Sequence, residues 1–116
     1  MFSAYKHGPT IPDERVPLIL WFQGGPGASS QFAAFTENGP IKITKDKISE
    51  SGTSWNIMGH TVFIDQPIGV GFSYTTDTTK PLVMSARQAA DHLLNFLYNL
   101  YKRWPALKKS PLYITG

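Results

Sequence analysis

The chain has 116 residues, a formal net charge of +3 and no cysteine. That length holds one domain at most, and a 41% hydrophobic, 13% aromatic composition excludes an intrinsically disordered chain. The missing thiols exclude disulfides, thiolate metal sites and a cysteine nucleophile. Lys102, Arg103, Lys108 and Lys109 supply part of the basic excess. They cluster around the end of a predicted helix, where cations are favoured, so they read as a solvated helix end and not as a nucleic-acid patch. No run approaches the ~18 apolar residues of a membrane span. The opening MFSAYKHGPTIPDER has no apolar core of a signal peptide.

In chain order, residues 1–5 fit the end of an edge strand, and residues 8–15, with Pro9 and Pro12, an exposed turn. Residues 16–22 are a continuous apolar run, the pattern of a strand buried on both faces of a parallel sheet. After Gly24, Gly25, Pro26 and Gly27, residues 29–35 fit a short helix, and Glu37-Asn-Gly-Pro40 is a turn. Residues 41–43 fit a short strand, and 45–56 read as polar loop anchored by Trp55. Residues 61–64 form a second buried strand, ended by Asp65-Gln-Pro67, and 77–81 another polar loop. Residues 85–103 form the longest helix, with Ser85 as N-cap and Pro105 as its stop. Its expected apolar stripe is Ala86, Ala90, Leu93, Leu94, Leu97, Tyr101 and Trp104. Residues 112–114 form a third buried strand. Strand, loop, strand, helix, strand is the grammar of an α/β fold with a parallel sheet. So few elements leave apolar faces and edges uncovered, which is expected of an incomplete domain.

The segment 18–30, LILWFQGGPGASS, carries the clearest chemical signal. A buried strand stopping at a glycine cluster lets bare backbone N–H groups approach an anion, because no Cβ intervenes. That suits an oxyanion hole. The loop lacks the Lys-Ser/Thr of a Walker loop and the spacing of GxGxxG, which argues against a phosphate cradle.

LILWFQGGPGASS, ENGP, SWN, TVFIDQPIGVGFSY, AADHLLNFLYN and PLYITG stand in an order and spacing that resembles the serine carboxypeptidases. These are α/β-hydrolase enzymes of vacuoles, lysosomes and the secretory pathway. The resemblance spans nearly all of the chain and implies residues 1–116 to be the N-terminal part of one such domain. It implies a hydrolase removing C-terminal residues from peptides through an acyl-enzyme, with no cofactor and no metal. Gly25 matches the glycine whose N–H helps form the oxyanion hole. Gln23 and Gly24 match the pair binding the substrate's free C-terminal carboxylate, although most relatives carry asparagine at Gln23. Glu37 matches an acid sharing a proton with a second glutamate beside the nucleophile, which would restrict carboxylate binding to acid pH. Trp21 matches a residue packed against that network.

Asp65 matches a structural turn residue and not the triad acid, and Trp55, Phe72 and Tyr74 read as packing or pocket wall. His7, His60 and His92 lie far from the family's catalytic histidine and share no metal-ligand spacing. Ala28 stands where relatives usually carry a disulfide cysteine, a cross-link typically contributing ~2–5 kcal/mol in small secreted domains. The family continues past a strand like 112–116 with Glu-Ser-Tyr-Ala-Gly, which supplies the nucleophile. The triad is therefore expected outside these residues, the remainder of the domain beyond Gly116 is an expected partner, and the isolated chain is expected to be inactive. Two other readings share these residues: an acyltransferase on the same scaffold, and a non-catalytic truncated pseudoenzyme or binding protein.

Overall fold

The computed structural model describes residues 15–79, 82–83 and 85–116. The expected strand at 1–5 and most of the turn at 8–15 lie outside the described residues. In chain order the elements are strand β1 (Leu18–Trp21), helix α1 (Gln31–Thr36), strands β2 (Ile41–Ile43), β3 (Ile48–Glu50) and β4 (His60–Phe63), helix α2 (Ala86–Arg103) and strand β5 (Leu112–Thr115). β1 lies between β4 and β5 and runs parallel to both, while β2 and β3 pair antiparallel as a separate hairpin. The expected α/β architecture, parallel strands with one long helix, is the one observed.

The apolar run 16–22 makes a strand because alternate side chains serve two cores. Leu18 and Leu20, both 0% exposed, join Val62 of β4 and Leu97, Leu100 and Leu107 on one face. Trp21 and Phe63 turn to the other face, against Ala33 and Ala34 of α1. The central strand is thus covered on both sides. Leu20→Ala is expected to destabilise the protein by about 2–5 kcal/mol, read by urea denaturation, because the cavity it leaves is walled by rigid elements.

α2 begins where Ser85 accepts a hydrogen bond from the Gln88 N–H, as a helix N-cap does. Its inward stripe is shifted from the one expected. Leu97 and Leu100 are buried and Leu93, Phe96 and Tyr101 are partly buried, whereas Leu94 is 64% and Trp104 46% exposed. Phe96 and Leu100 complete the i, i+3, i+4, i+7 row with Leu93 and Leu97, and Leu94 falls off it.

Three further expectations are corrected. Segment 45–56 is not all loop: it contains β3 and leads into a 3-10 turn, Trp55–Ile57. β5 is not buried. It is an edge strand with no neighbour beyond it among the described residues, so Tyr113 and Ile114 are 55% and 59% exposed. Phe72 and Tyr74, expected as packing or pocket wall, are 82% and 80% exposed and form no part of the core. The loop at 77–81 is irregular where it is described, at 77–79.

Candidate functional site

β1 delivers the chain to its C-terminal end at Trp21, and the glycine cluster follows at once. Gly25 has φ +122° and Gly27 φ +96°, in the region that favours glycine. The loop closes on itself through Ala28 N–H to the Gly24 carbonyl at 3.1 Å. Gly24 through Ala28 are exposed, and a Cβ at Gly24 or Gly27 would meet nothing within 4 Å. Among the described residues the N–H groups of Gly24 and Gly25 donate to no protein acceptor. Two backbone donors without a protein acceptor therefore stand on exposed residues at the end of the central strand.

Beside the loop, three of the expected site residues form a hydrogen-bonded line. The Trp21 indole Nε1–H donates to Gln23 Oε1 at 3.0 Å. Gln23 Nε2 donates to Glu37 Oε1 at 3.3 Å. An indole N–H can only donate, so the carbonyl of Gln23 must face it and the NH₂ must face the other way. Trp21 thus fixes which end of the amide is presented to Glu37. The NH₂ keeps a second N–H for a ligand.

Glu37 is placed by the end of α1, where the N–H groups of Glu37, Asn38 and Gly39 all converge on the Ala33 carbonyl. Glu37 is exposed. The neighbouring Asn38 Oδ1 is buried and has no hydrogen-bond donor among the described residues.

A second network, only partly anticipated from sequence, holds the glycine loop from behind. Asp65 Oδ1 accepts from Ser29 Oγ at 2.7 Å and from the Ser30 N–H at 2.8 Å, and Oδ2 accepts from the Phe72 N–H at 2.9 Å. The Asp65 carbonyl takes the Ser73 hydroxyl at 2.7 Å. Ser30, 1% exposed, accepts from the Gln23 N–H at 3.0 Å and donates to the Ile64 carbonyl at 2.5 Å. The loop's entry and exit are therefore both tied to the end of β4. The serine pair before α1 and the aspartate closing β4 were the visible signals; their pairing across 35 residues was not.

His60 opens β4, His92 is exposed on α2, and His7 lies outside the described residues. A cleft of about 340 Å³ between the exit of β4 and α2 is lined by Asp65, Gln66, Ser73 and His92 and contains none of the expected site residues. Among the described residues no group of three His, Cys, Asp or Glu could hold a metal ion, and no helix is long and apolar enough to cross a membrane.

Comparison with known proteins gives this geometry a family. The family model described as serine carboxypeptidase matches residues 2–116. The vitellogenic carboxypeptidase of Aedes aegypti is 38% identical over 104 residues, covering 89% of this chain and 22% of that protein. Serine carboxypeptidase S10 family member 1 of Dictyostelium discoideum is 41% identical over 101 residues, covering 86% of this chain and 24% of its own length. The crystal structure of a prohormone-processing carboxypeptidase from Saccharomyces cerevisiae superposes with a TM-score of 0.77 at 33% identity, over 89% of this chain and 23% of that one. The chain thus spans about a quarter or less of these relatives. A match running from residue 2 to residue 116, with a parallel sheet that superposes on a solved carboxypeptidase, shows that the chain belongs to the serine carboxypeptidase family of α/β-hydrolases.

Proposed function

We propose that this chain supplies the oxyanion loop and half of the C-terminal carboxylate site of a serine-type carboxypeptidase. The nucleophile, base and orienting acid of such an enzyme are contributed by residues other than these. The observation that carries the reading is the Trp21–Gln23–Glu37 line standing beside two unused backbone donors, Gly24 and Gly25.

In this reading the Gly25 N–H meets the negative charge that develops on the scissile carbonyl oxygen. The Gly24 N–H and the free N–H of Gln23 hold the substrate's terminal carboxylate. Glu37 accepts from the Gln23 NH₂ and so stands beside the seat of that carboxylate. Peptides with a free C-terminus are the substrate class. A vacuolar, lysosomal or secreted setting goes with this activity; relatives include a pheromone-processing carboxypeptidase of Candida glabrata and a venom serine carboxypeptidase of Apis mellifera.

The test uses the full-length protein, an N-blocked dipeptide and its C-terminal methyl ester. Gln23→Ala is expected to raise KM for the free acid by about tenfold and to leave the ester within about twofold, since only the acid uses the amide. Equal effects on acid and ester would remove the carboxylate role. Transfer of an acyl group from a glucose ester, without peptide hydrolysis, would instead assign the scaffold to acyl transfer.

A further inference from the structure

Trp55 sits at the back of the carboxylate line, on the 3-10 turn that the polar segment 45–56 leads into. Its ring meets that of Trp21 edge-on, with centroids 5.1 Å apart and planes at 85°. This is a favoured aromatic geometry. On its other side Trp21 packs with Phe63, Ala33 and Ala34. The indole that orients Gln23 is therefore held between a hydrophobic cluster and one further ring.

The turn carrying Trp55 is itself fixed by buried polar groups. Ser54 Oγ accepts from the Asn56 N–H at 3.1 Å and donates to Asn56 Oδ1 at 3.1 Å. Thr61 Oγ1, on the central part of β4 and 0% exposed, donates to the same Asn56 oxygen at 2.7 Å. Ser54 and Asn56 face inward and lock the turn to the sheet, and Trp55 between them turns toward Trp21. The Trp55 N–H also donates to the Asn38 carbonyl at 3.0 Å, next to Glu37. One residue thus touches both ends of the line, Trp21 through its ring and the Glu37 turn through its backbone.

We propose that Trp55 is a positioning residue for recognition of the substrate's C-terminal carboxylate, acting through Trp21 on the Gln23 amide. It touches no substrate. Without its ring the Trp21 indole is free to swing, its N–H leaves Gln23 Oε1, and the amide no longer presents a defined N–H beside Glu37. The inference rests on the carboxylate role proposed for Gln23.

The full-length protein carrying Trp55→Leu, Trp55→Phe or the milder Ser54→Ala tests it with two readouts. Trp55→Leu is expected to raise KM for the free-acid dipeptide about tenfold, with kcat and the methyl ester within about twofold. Trp55→Phe, which keeps an edge-on ring, is expected to restore KM to within about threefold, and Ser54→Ala to fall between. In parallel, nuclear magnetic resonance follows solvent exchange of the Trp21 indole N–H, assigned by Trp→Phe replacements at 21, 55 and 104. Exchange is expected to speed up about tenfold in Trp55→Leu and to stay near wild type in Trp55→Phe. Equal losses on acid and ester, or no rescue by phenylalanine, would mean a merely structural role. An unchanged Trp21 signal in Trp55→Leu or, should that variant not fold, in Ser54→Ala overturns the proposal whatever the activity. A wild-type protein that cleaves the ester but shows no preference for the acid would instead overturn the carboxylate reading on which the proposal rests.

Discussion

Asp65→Ala is expected to lower kcat about a hundredfold on free-acid peptides and on their esters alike, with KM little changed, in steady-state assays of the full-length protein. The loss is the size seen when one oxyanion donor is removed. Asp65 does not touch the reacting atoms. It accepts from Ser29 Oγ, the Ser30 N–H and the Phe72 N–H, so its removal leaves the Ser30 hydroxyl on the Ile64 carbonyl as the remaining tie of the loop exit to the end of β4 and leaves two backbone donors without partners. In the proposed reading the Gly25 N–H is then no longer aimed at the developing charge. Both substrates develop charge on the same oxygen, so both suffer, in contrast to the acid-selective effects at Gln23 and Trp55. Asp65→Asn is expected to be milder. Its carbonyl oxygen can keep Ser29 and Ser30, while its NH₂ faces the Phe72 N–H, donor against donor. Normalising kcat to titrated active sites separates misaimed donors from unfolded protein. Full kcat per titrated site in Asp65→Ala would sink the idea. The fit is tight from the other side as well: a Cβ at Gly71, at φ +54°, would run into the Asp65 carboxylate and approach Ser29 Oγ.

What could be read from sequence follows from which residues solve their burial locally. Residues 18–21 announce a central strand because both faces are apolar, and no partner is needed to see it. The capped helix at 85–103 is visible for the same reason, through Ser85 and its apolar period. The 3-10 turn at 55–57 is invisible in composition: Ser54, Asn56 and Thr61 are buried polar residues, and their burial is tolerable only because they bond to one another. β5 misleads in the opposite sense. Leu112, Tyr113 and Ile114 are apolar enough for a core, but exposure depends on what stands beside a strand, which an apolar run does not state. The glycine cluster is legible as backbone chemistry. The bond joining Gln23 to Glu37 across 14 residues is not; resemblance implies that both serve the carboxylate, and the contact itself appears only in the folded chain. The Asp65 clamp on Ser29, across 36 residues, has no local signature beyond a carboxylate at a strand end.

Gly39→Ala is expected to destabilise the protein by about 3 kcal/mol in urea denaturation, and to raise KM for free-acid peptides in the molecules that still fold. The added Cβ would overlap the carbonyl of Ala34. Ala34 cannot withdraw, because it is 0% exposed, packs with Phe63 and donates its N–H to the Ser30 carbonyl at 3.1 Å. The turn must move instead. Its three N–H groups share the Ala33 carbonyl, so displacing Gly39 pulls Asn38 and Glu37 with it. Glu37 then leaves Gln23, and the Asn38 carbonyl leaves the Trp55 N–H. Stability and the proposed carboxylate recognition are therefore coupled through one missing methyl group. The control is Gly52→Ala in an exposed bend, where a Cβ meets nothing within 4 Å. That change is expected to stay within about 0.5 kcal/mol of wild type. If Gly39→Ala matched Gly52→Ala in both stability and KM, the end of α1 would be yielding, and the placement of Glu37 would have to come from elsewhere in the protein.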